Sequence, residues 1–169
     1  GVDIDEPKLP LERTEFVQAD STYAILQRIV RATRVDTVLH THLEVDSTRT
    51  SSRRLHDVNV IGTTNLLAAA GAADSPVRRL IVKTSTLVYG SSYTDPYWFR
   101  ESDRRVAPAR TRVERSLLEV EGYVRDFARD NPHVVLSLLR FSNVLGPDIT
   151  TPLTKCLSLP LVPKVAGFD

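Results

Sequence analysis

Three consecutive hydroxyl residues stand close to the end of a short apolar run of the chain. Residues 80–82 are apolar, and Thr84, Ser85 and Thr86 follow them after one lysine. A short apolar run without polar alternation is typical of a strand buried on both faces of a parallel sheet. Open α/β sheets bind their ligands just beyond the carboxyl ends of such strands. The hydroxyl groups are therefore candidates for ligand binding, although such residues also cap ordinary loops.

Polar residues end two further runs of this kind. His40, Thr41 and His42 close the run that starts at Val35, and Asn143 follows the run at 134–141. Two histidines spaced two apart on a strand point to one face and could bind zinc. No third ligand lies nearby in the sequence, so a position beside a crevice is the favoured interpretation.

The elements that carry these residues alternate between strands and helices. Strands are predicted at 15–20, 35–42, around 80–86 and at 134–141, with helices around 23–30, 53–70 and 109–129. This order predicts right-handed βαβ units and a parallel sheet. Asn59 lies near the inner face of the second helix, and its amide is predicted to hydrogen-bond a neighbouring loop or strand.

Composition and charge are those of an ordinary globular domain. Hydrophobic residues make up 41% and charged residues 25% of the 169 residues, which suits one domain. The net charge of +1 indicates no binding of nucleic acid or of an anionic membrane. No apolar run approaches the roughly 20 residues of a membrane span, and no secretory signal opens the chain, so a cytoplasmic protein is expected. The four histidines and the single Cys156 show no metal-ligand spacing.

Four segments carry a family resemblance. They are Lys-Thr-Ser-Thr-Leu-Val-Tyr-Gly at 83–90, Val-Asp-Thr-Val-Leu-His at 35–40, the asparagine- and glycine-containing helix segment at 57–67, and Leu-Arg-Phe-Ser-Asn-Val-Leu-Gly-Pro at 139–147. In order and spacing they resemble the NAD-dependent epimerase/dehydratase family of the extended short-chain dehydrogenase/reductases. Within that family the sequence resembles the actinobacterial UDP-glucose 4-epimerase-like proteins.

This resemblance implies a fold and an activity. The fold is a Rossmann-type α/β domain over residues 1–169, with a doubly wound parallel sheet in three αβα layers. The family's first strand and Gly-rich loop have no counterpart in the sequence, which predicts that the chain is part of a longer protein. The implied cofactor is NAD, the implied substrate is a nucleotide sugar such as a UDP-hexose, and the implied activity is that of an epimerase, an isomerase. A homodimer is also expected.

The resemblance assigns site residues by position. Asp3 would hold the adenosine ribose of NAD, and Asp20 and Ser21 would flank the adenine. Thr84 and Ser85 would face the nicotinamide and the sugar, with Ser85 as the catalytic hydroxyl. The other positions implied to contact the cofactor are His40, Thr41 and His42, largely through backbone, together with Asn59 and Phe141. The other positions implied to contact the substrate are Thr86 and Asn143, the latter at the diphosphate.

The family's proton-transfer pair, Tyr-x-x-x-Lys, is missing. The segment at 121–124 resembles the continuation of the family's helix and places the two positions at Val113 and Leu117. Apolar side chains neither transfer protons nor bind ribose. A long polar loop is predicted at 91–108, and only Tyr89 and Tyr97 could substitute from this region. Two hypotheses remain open: an epimerase with an unconventional base, and a catalytically inactive NAD-binding sensor or scaffold. A phosphate-binding domain of the flavodoxin or response-regulator kind explains fewer of the segments.

Overall fold

The computed structural model describes residues 1–21, 25–46, 50–90, 92 and 95–161, except the side chain of Pro152. Within these residues the strands are β1 (Val2–Asp3), β2 (Val17–Gln18), β3 (Thr37–His40), β4 (Arg79–Ser85) and β5 (Val135–Phe141). The helices are α1 (Ile25–Thr33), α2 (Ser52–His56), α3 (Gly62–Ala70), α4 (Arg112–Asp130) and α5 (Pro152–Leu157). None of the helices described has the length and apolar character to cross a membrane.

Every strand pair in this part of the chain is parallel. Strands β3, β4 and β5 form one sheet in that order, with Leu39 opposite Ile81 and Ser85 opposite Phe141. Strands β1 and β2 form a separate two-stranded sheet. Helices connect β2 to β3, β3 to β4 and β4 to β5. This arrangement confirms the predicted Rossmann-type α/β fold class and its parallel pairing.

Helices α1, α3 and α4 cover one face of the three-stranded sheet. Leu80 and Val82 of β4 belong to a buried cluster that also contains Val120 and Val124 of α4. Residues that alternate with them point to the other face, where Val135 remains 64% exposed. Of the three predicted layers, the described residues therefore form the sheet and one helical layer.

A cleft of about 720 Å³ lies between the two sheets. Val2 of β1, Val17 of β2 and Leu39 of β3 line it, together with Leu26 of α1. Among the described residues β3 pairs only with β4, so its other edge borders this cleft. We call this cavity the inter-sheet cleft.

Both long helices predicted from the sequence are present, but one starts at a different residue and the other is interrupted. Helix α4 begins at Arg112 rather than at 109 because the side chain of Thr111 accepts the Glu114 N–H and caps the first turn. A π-helical turn, Asp57–Ile61, joins α2 to α3, which sequence periodicity did not predict. Gly62 follows this turn, and a Cβ there would lie 2.8 Å from Ser21 Oγ, so a larger residue would require the Ser21 side chain to move.

Candidate functional site

The carboxyl ends of β4 and β5 border a pocket of about 240 Å³, which we call the strand-end pocket. Thr84 and Ser85 line it from β4, and Phe141 and Asn143 line it from β5 and the residues after it. Its other lining residues are Leu43, Val45, Lys83, Ser142, Val144, Ile149 and Thr151. The structure therefore brings together four predicted site residues from distant parts of the sequence.

Ser85 both caps a helix and faces this pocket. Its Oγ accepts the N–H of Leu87 at 3.3 Å, which caps the 3-10 helix Thr86–Tyr89. Gly90 ends this helix at a φ of +113°, a backbone conformation that favours glycine. Because Ser85 Oγ serves as the acceptor in this bond, its own proton remains available for donation to a ligand.

Two buried hydroxyl oxygens have no hydrogen-bond partner among the described residues. They are Ser21 Oγ and Thr84 Oγ1. An unsatisfied buried hydroxyl costs roughly 1–3 kcal/mol, so such groups are commonly explained by a ligand or water. Ser21 lines the inter-sheet cleft and Thr84 lines the strand-end pocket, and both were predicted to face the cofactor. The residues present thus fit a polar cofactor such as the predicted NAD.

Asp3, Thr41 and His42 line the inter-sheet cleft at the ends of β1 and β3. The Asp3 Oδ1 atom accepts the N–H of Ile4 at 2.7 Å, which holds the carboxylate at the end of β1. This grouping agrees with the positions predicted for the cofactor, while the contacts themselves remain predictions.

Three predicted site residues line neither cavity. Thr86 opens the 3-10 helix after Ser85, and Asp20 Oδ2 lies 3.4 Å from Nη1 of Arg54. Asn59 is fully buried and bonds to protein groups. The position of the two cavities therefore does not support the ligand contacts expected for these three residues, which stay predictions.

Asn59 fixes the segment after β3. Its Oδ1 accepts the Glu44 N–H at 2.7 Å, and its Nδ2 donates to the Glu44 carbonyl at 2.9 Å and to Ser116 Oγ at 3.0 Å. These bonds confirm the prediction that the amide ties its helix to a neighbouring loop. Leu43 in this segment borders the strand-end pocket, and His42 borders the inter-sheet cleft, so Asn59 positions the wall between them.

The ring of His40 is directed into the core. It is buried, and its Nε2 lies 2.9 Å from Oγ1 of Thr63 in α3. Burial, assisted by the nearby His42, lowers the pKa of His40 to about 4. The imidazole is therefore neutral at pH 7, and any contact of His40 with a ligand would come from its backbone, as predicted.

The stability of the protein should depend on pH through His40. Between pH 6.5 and about 4 the unfolded histidine binds a proton that folded His40 does not, so stability falls as the pH decreases through this range. The shift corresponds to about 3 kcal/mol. Urea denaturation at several pH values measures it, and an NMR titration reports the pKa directly. His40→Gln should remove this dependence, and His133→Gln, at an exposed position, should retain it. An NMR pKa near 6.5 would contradict the prediction.

Val113 and Leu117, at the positions predicted for the proton-transfer pair, are buried core residues. They belong to one cluster with Leu55, Val88 and Tyr89. Their side chains pack among apolar groups, so neither position carries a group that transfers protons or binds ribose.

The two tyrosines considered as substitutes have other surroundings. Tyr89 is buried, its ring stacks on Phe99 at 4.8 Å, and its hydroxyl accepts a hydrogen bond from Arg140 Nη1 at 2.6 Å. Tyr97 is 89% exposed and lines neither cavity. The stacked ring of Phe99 thus anchors the segment between β4 and α4, whereas Trp98 in the same segment is 91% exposed.

Sequence reasoning missed two arginines with buried partners. Arg140 forms a bidentate ion pair with the buried carboxylate of Glu121. Its Nε donates to Oε1 at 2.9 Å and its Nη2 donates to Oε2 at 2.7 Å. Arg105 forms a buried ion pair with Glu114, although in the sequence it is only the second residue of a basic pair, Arg104-Arg105. The available signal was the position of Glu114 and Glu121 beside the apolar stripe of α4, because buried carboxylates need partners.

Taken together, a parallel α/β sheet with hydroxyl and amide groups at its carboxyl edge defines a Rossmann-type domain. The model of the NAD dependent epimerase/dehydratase family matches residues 3–159. The chain belongs to that family.

A mycobacterial protein is similar to almost the whole of this chain. An uncharacterised protein of Mycobacterium tuberculosis is 37% identical over 158 residues, which cover 93% of this chain and 42% of the relative. The chain thus spans less than half the length of that relative.

Solved structures show the same fold. A short-chain dehydrogenase/reductase superfamily protein from Agrobacterium tumefaciens with bound NAD is similar at 26% identity and a TM-score of 0.65, over 83% of this chain and 40% of that one. UDP-glucose-4-epimerase from Stenotrophomonas maltophila, with bound NAD and formylated UDP-arabinopyranose, is similar at 22% identity and a TM-score of 0.65, over 83% and 45%.

Proposed function

We propose that this protein is an NAD-dependent epimerase that acts on a nucleotide sugar, with a UDP-hexose such as UDP-glucose as substrate. The observation that carries the proposal is the strand-end pocket, where Ser85 and Asn143 meet at the edge that binds ligands in this fold class. Family membership supports the cofactor and the reaction class.

Each pocket residue has a definite chemical capacity. Ser85 donates its proton to the oxygen at sugar C4, and the Asn143 amide donates to a phosphate oxygen. The orphaned hydroxyls of Ser21 and Thr84 gain partners from the cofactor, and the carboxylate of Asp3 accepts from ribose hydroxyls. When bound, NAD supplies the reversible hydride acceptor that inversion at C4 requires.

Completion of the sheet forms part of the proposal. The edge of β3 and the strand β1 border the inter-sheet cleft, and unpaired edges bind further strands. We propose that chain outside residues 1–169 supplies a strand for this cleft and the Gly-rich loop that holds the cofactor's pyrophosphate.

A catalytically inactive NAD-binding sensor is the second candidate. The burial of Val113 and Leu117 in the core favours it, because a pocket without the usual proton-transfer pair can retain binding while it loses turnover. Both candidates require the same cavities, so only a measurement of turnover separates them.

The test uses the full-length protein, from which co-purified NAD is released by denaturation and quantified. The protein is then incubated with UDP-glucose or UDP-galactose, and C4 inversion is followed by NMR. We expect bound NAD and measurable turnover, and Ser85→Ala should lower turnover by about a hundredfold or more. Light scattering on the same preparation tests the predicted homodimer.

Ser137→Ala is the matched control for the Ser85 variant. Ser137 lies in β5 opposite Ile81, away from the strand-end pocket, and turnover should be unchanged. Bound NAD without turnover would establish the sensor candidate instead. Turnover that survives Ser85→Ala would exclude the proposed role of that hydroxyl.

A further inference from the structure

Lys83 shares a face of the sheet with Ser85. The two residues lie two apart in β4, and successive side chains of a strand point to opposite faces. Val82 and Thr84, which alternate with them, are buried, whereas Lys83 is exposed. Its side chain therefore lies on the face that the described helices α1, α3 and α4 leave open.

The ammonium group of Lys83 extends toward the carboxyl end of the sheet. Its Nζ lies 5.8 Å from the centroid of the Phe141 ring, within the range of a cation–π contact. Phe141 is the residue directly opposite Ser85 in the register of β4 and β5. The contact thus holds the positive charge near the level of the Ser85 hydroxyl rather than beside its own backbone.

The side chains that line the strand-end pocket carry a positive charge without a negative one to balance it. Lys83 is the only ionisable residue among the described residues that line it, and the lining contains no carboxylate. Within the described chain Lys83 forms no ion pair. The neighbouring groups are neutral hydrogen-bonding side chains, Ser85 and Asn143, and apolar walls such as Ile149. A site with one cation, neutral donors and apolar walls suits a ligand that carries an oxyanion.

We propose that Lys83 binds an oxyanion of the ligand in the strand-end pocket, as the cation that gives this pocket its preference for anionic substrates. The inference rests on the proposed function, because it assumes that the ligand is a nucleotide sugar. A diphosphate and the carboxylate of a hexuronate share the required chemistry.

The experiment measures binding to the full-length protein by calorimetry. Wild type, Lys83→Gln and Lys83→Arg are titrated with UDP-glucose, UDP-glucuronate and NAD. We expect Lys83→Gln to weaken binding of the anionic ligand by about ten- to a hundredfold, and Lys83→Arg to restore most of it. Affinity for NAD should stay within about twofold, and because Lys83 is exposed the variant should fold normally.

The two sources of the oxyanion give different patterns. Equal weakening for both sugar nucleotides assigns the diphosphate to Lys83, and weakening confined to UDP-glucuronate assigns the carboxylate. Arg79→Gln is the matched control, because Arg79 lies on the same strand and face, four residues before Lys83 and distant from the pocket. Its variant should bind both ligands as wild type does.

Pyrophosphate separates this inference from the proposed function. Its binding is followed by NMR at the amides of Ser85 and Asn143. Lys83-dependent pyrophosphate binding without affinity for sugar nucleotides would retain the oxyanion site and overturn the proposed function. Three outcomes would overturn the inference. In the first, Lys83→Gln changes the affinity for sugar nucleotides by less than twofold. In the others, it weakens NAD binding as strongly as sugar-nucleotide binding, or no anion shows binding that depends on Lys83.

Discussion

Replacement of Arg105 by alanine is expected to lower the free energy of unfolding by about 3–5 kcal/mol. The Arg105 guanidinium lies 2.5 Å from the Glu114 carboxylate, and the two side chains are only 5% and 2% exposed. The same guanidinium donates to the carbonyls of Ala107 at 2.6 Å and Leu87 at 3.2 Å. Removal of Arg105 leaves a buried carboxylate without its main countercharge, and this accounts for the size of the effect. Chemical denaturation monitored by circular dichroism measures the loss.

An exposed arginine provides the control. Arg129 pairs with Asp126 and Asp130 on the surface of α4, where solvent screens the charges, so Arg129→Ala should lower stability far less than Arg105→Ala does. Combining Arg105→Ala with Glu114→Gln should recover part of the loss, because the second change removes the buried negative charge that Arg105 balances. If the Arg105 and Arg129 variants lost equal free energies of unfolding, burial of the Arg105–Glu114 pair would not determine how much it contributes to stability.

The same pair predicts a response to acid. Burial acts to raise the pKa of Glu114, but the Arg110 N–H, the Arg105 guanidinium and the Thr111 side chain outweigh it, and the pKa lies below its ordinary value of 4.5. The stability from this carboxylate is therefore fully present above pH 4.5 and is lost as the pH falls through the lowered pKa. Arg105→Ala should weaken this acid dependence, because it removes one of the groups that favour the ionised form.

Replacement of Leu117 by lysine is expected to destabilise the protein by about 5 kcal/mol or more, although it restores one residue of the family's proton-transfer pair. Leu117 has no exposed surface and packs in the cluster with Leu55, Val88 and Val113. An ammonium group at this position would be buried without a partner, which is among the most unfavourable substitutions in a core. Thermal and urea denaturation measure the loss.

A smaller change keeps the Leu117 prediction measurable if the lysine variant does not fold. Leu117→Ala should cost about 2–5 kcal/mol through lost packing. Leu9→Ala is the control, because Leu9 is 76% exposed and its truncation should change stability by less than about 0.5 kcal/mol. A folded Leu117→Lys variant of normal stability would show that position 117 can accommodate a cation and would reopen the question of the missing pair.

The chemical groups of the candidate site could be predicted from local sequence. Ser85 and Asn143 both follow apolar runs that form strands of a parallel sheet, and that pattern alone places them at its ligand-binding edge. Apolar residues also recur at three- and four-residue spacing along α4, and this period by itself indicates a buried stripe that includes Val113 and Leu117. Local patterns succeed here because strand burial and helix amphipathicity are encoded by neighbouring residues.

Other features depended on contacts between distant segments. Arg105 resembles any surface arginine in the sequence, and only its approach to Glu114 makes it a buried charge. The sequence predicts a hydrogen-bonded amide at Asn59, but only the fold identifies its partners as Glu44 and Ser116 of α4. Hydrogen bonds and ion pairs depend on which elements meet in space, which no local pattern records.

The sequence by itself determined the parallel α/β class, the family and the polar residues at the strand ends of this protein. The tertiary structure decided which of these polar residues share a cavity. It grouped Ser85 and Asn143 with Lys83, and it directed the ring of His40 into the core. The reason is that strand periodicity specifies a face of the sheet, whereas the packing of helices decides which face is buried and which remains open to a ligand.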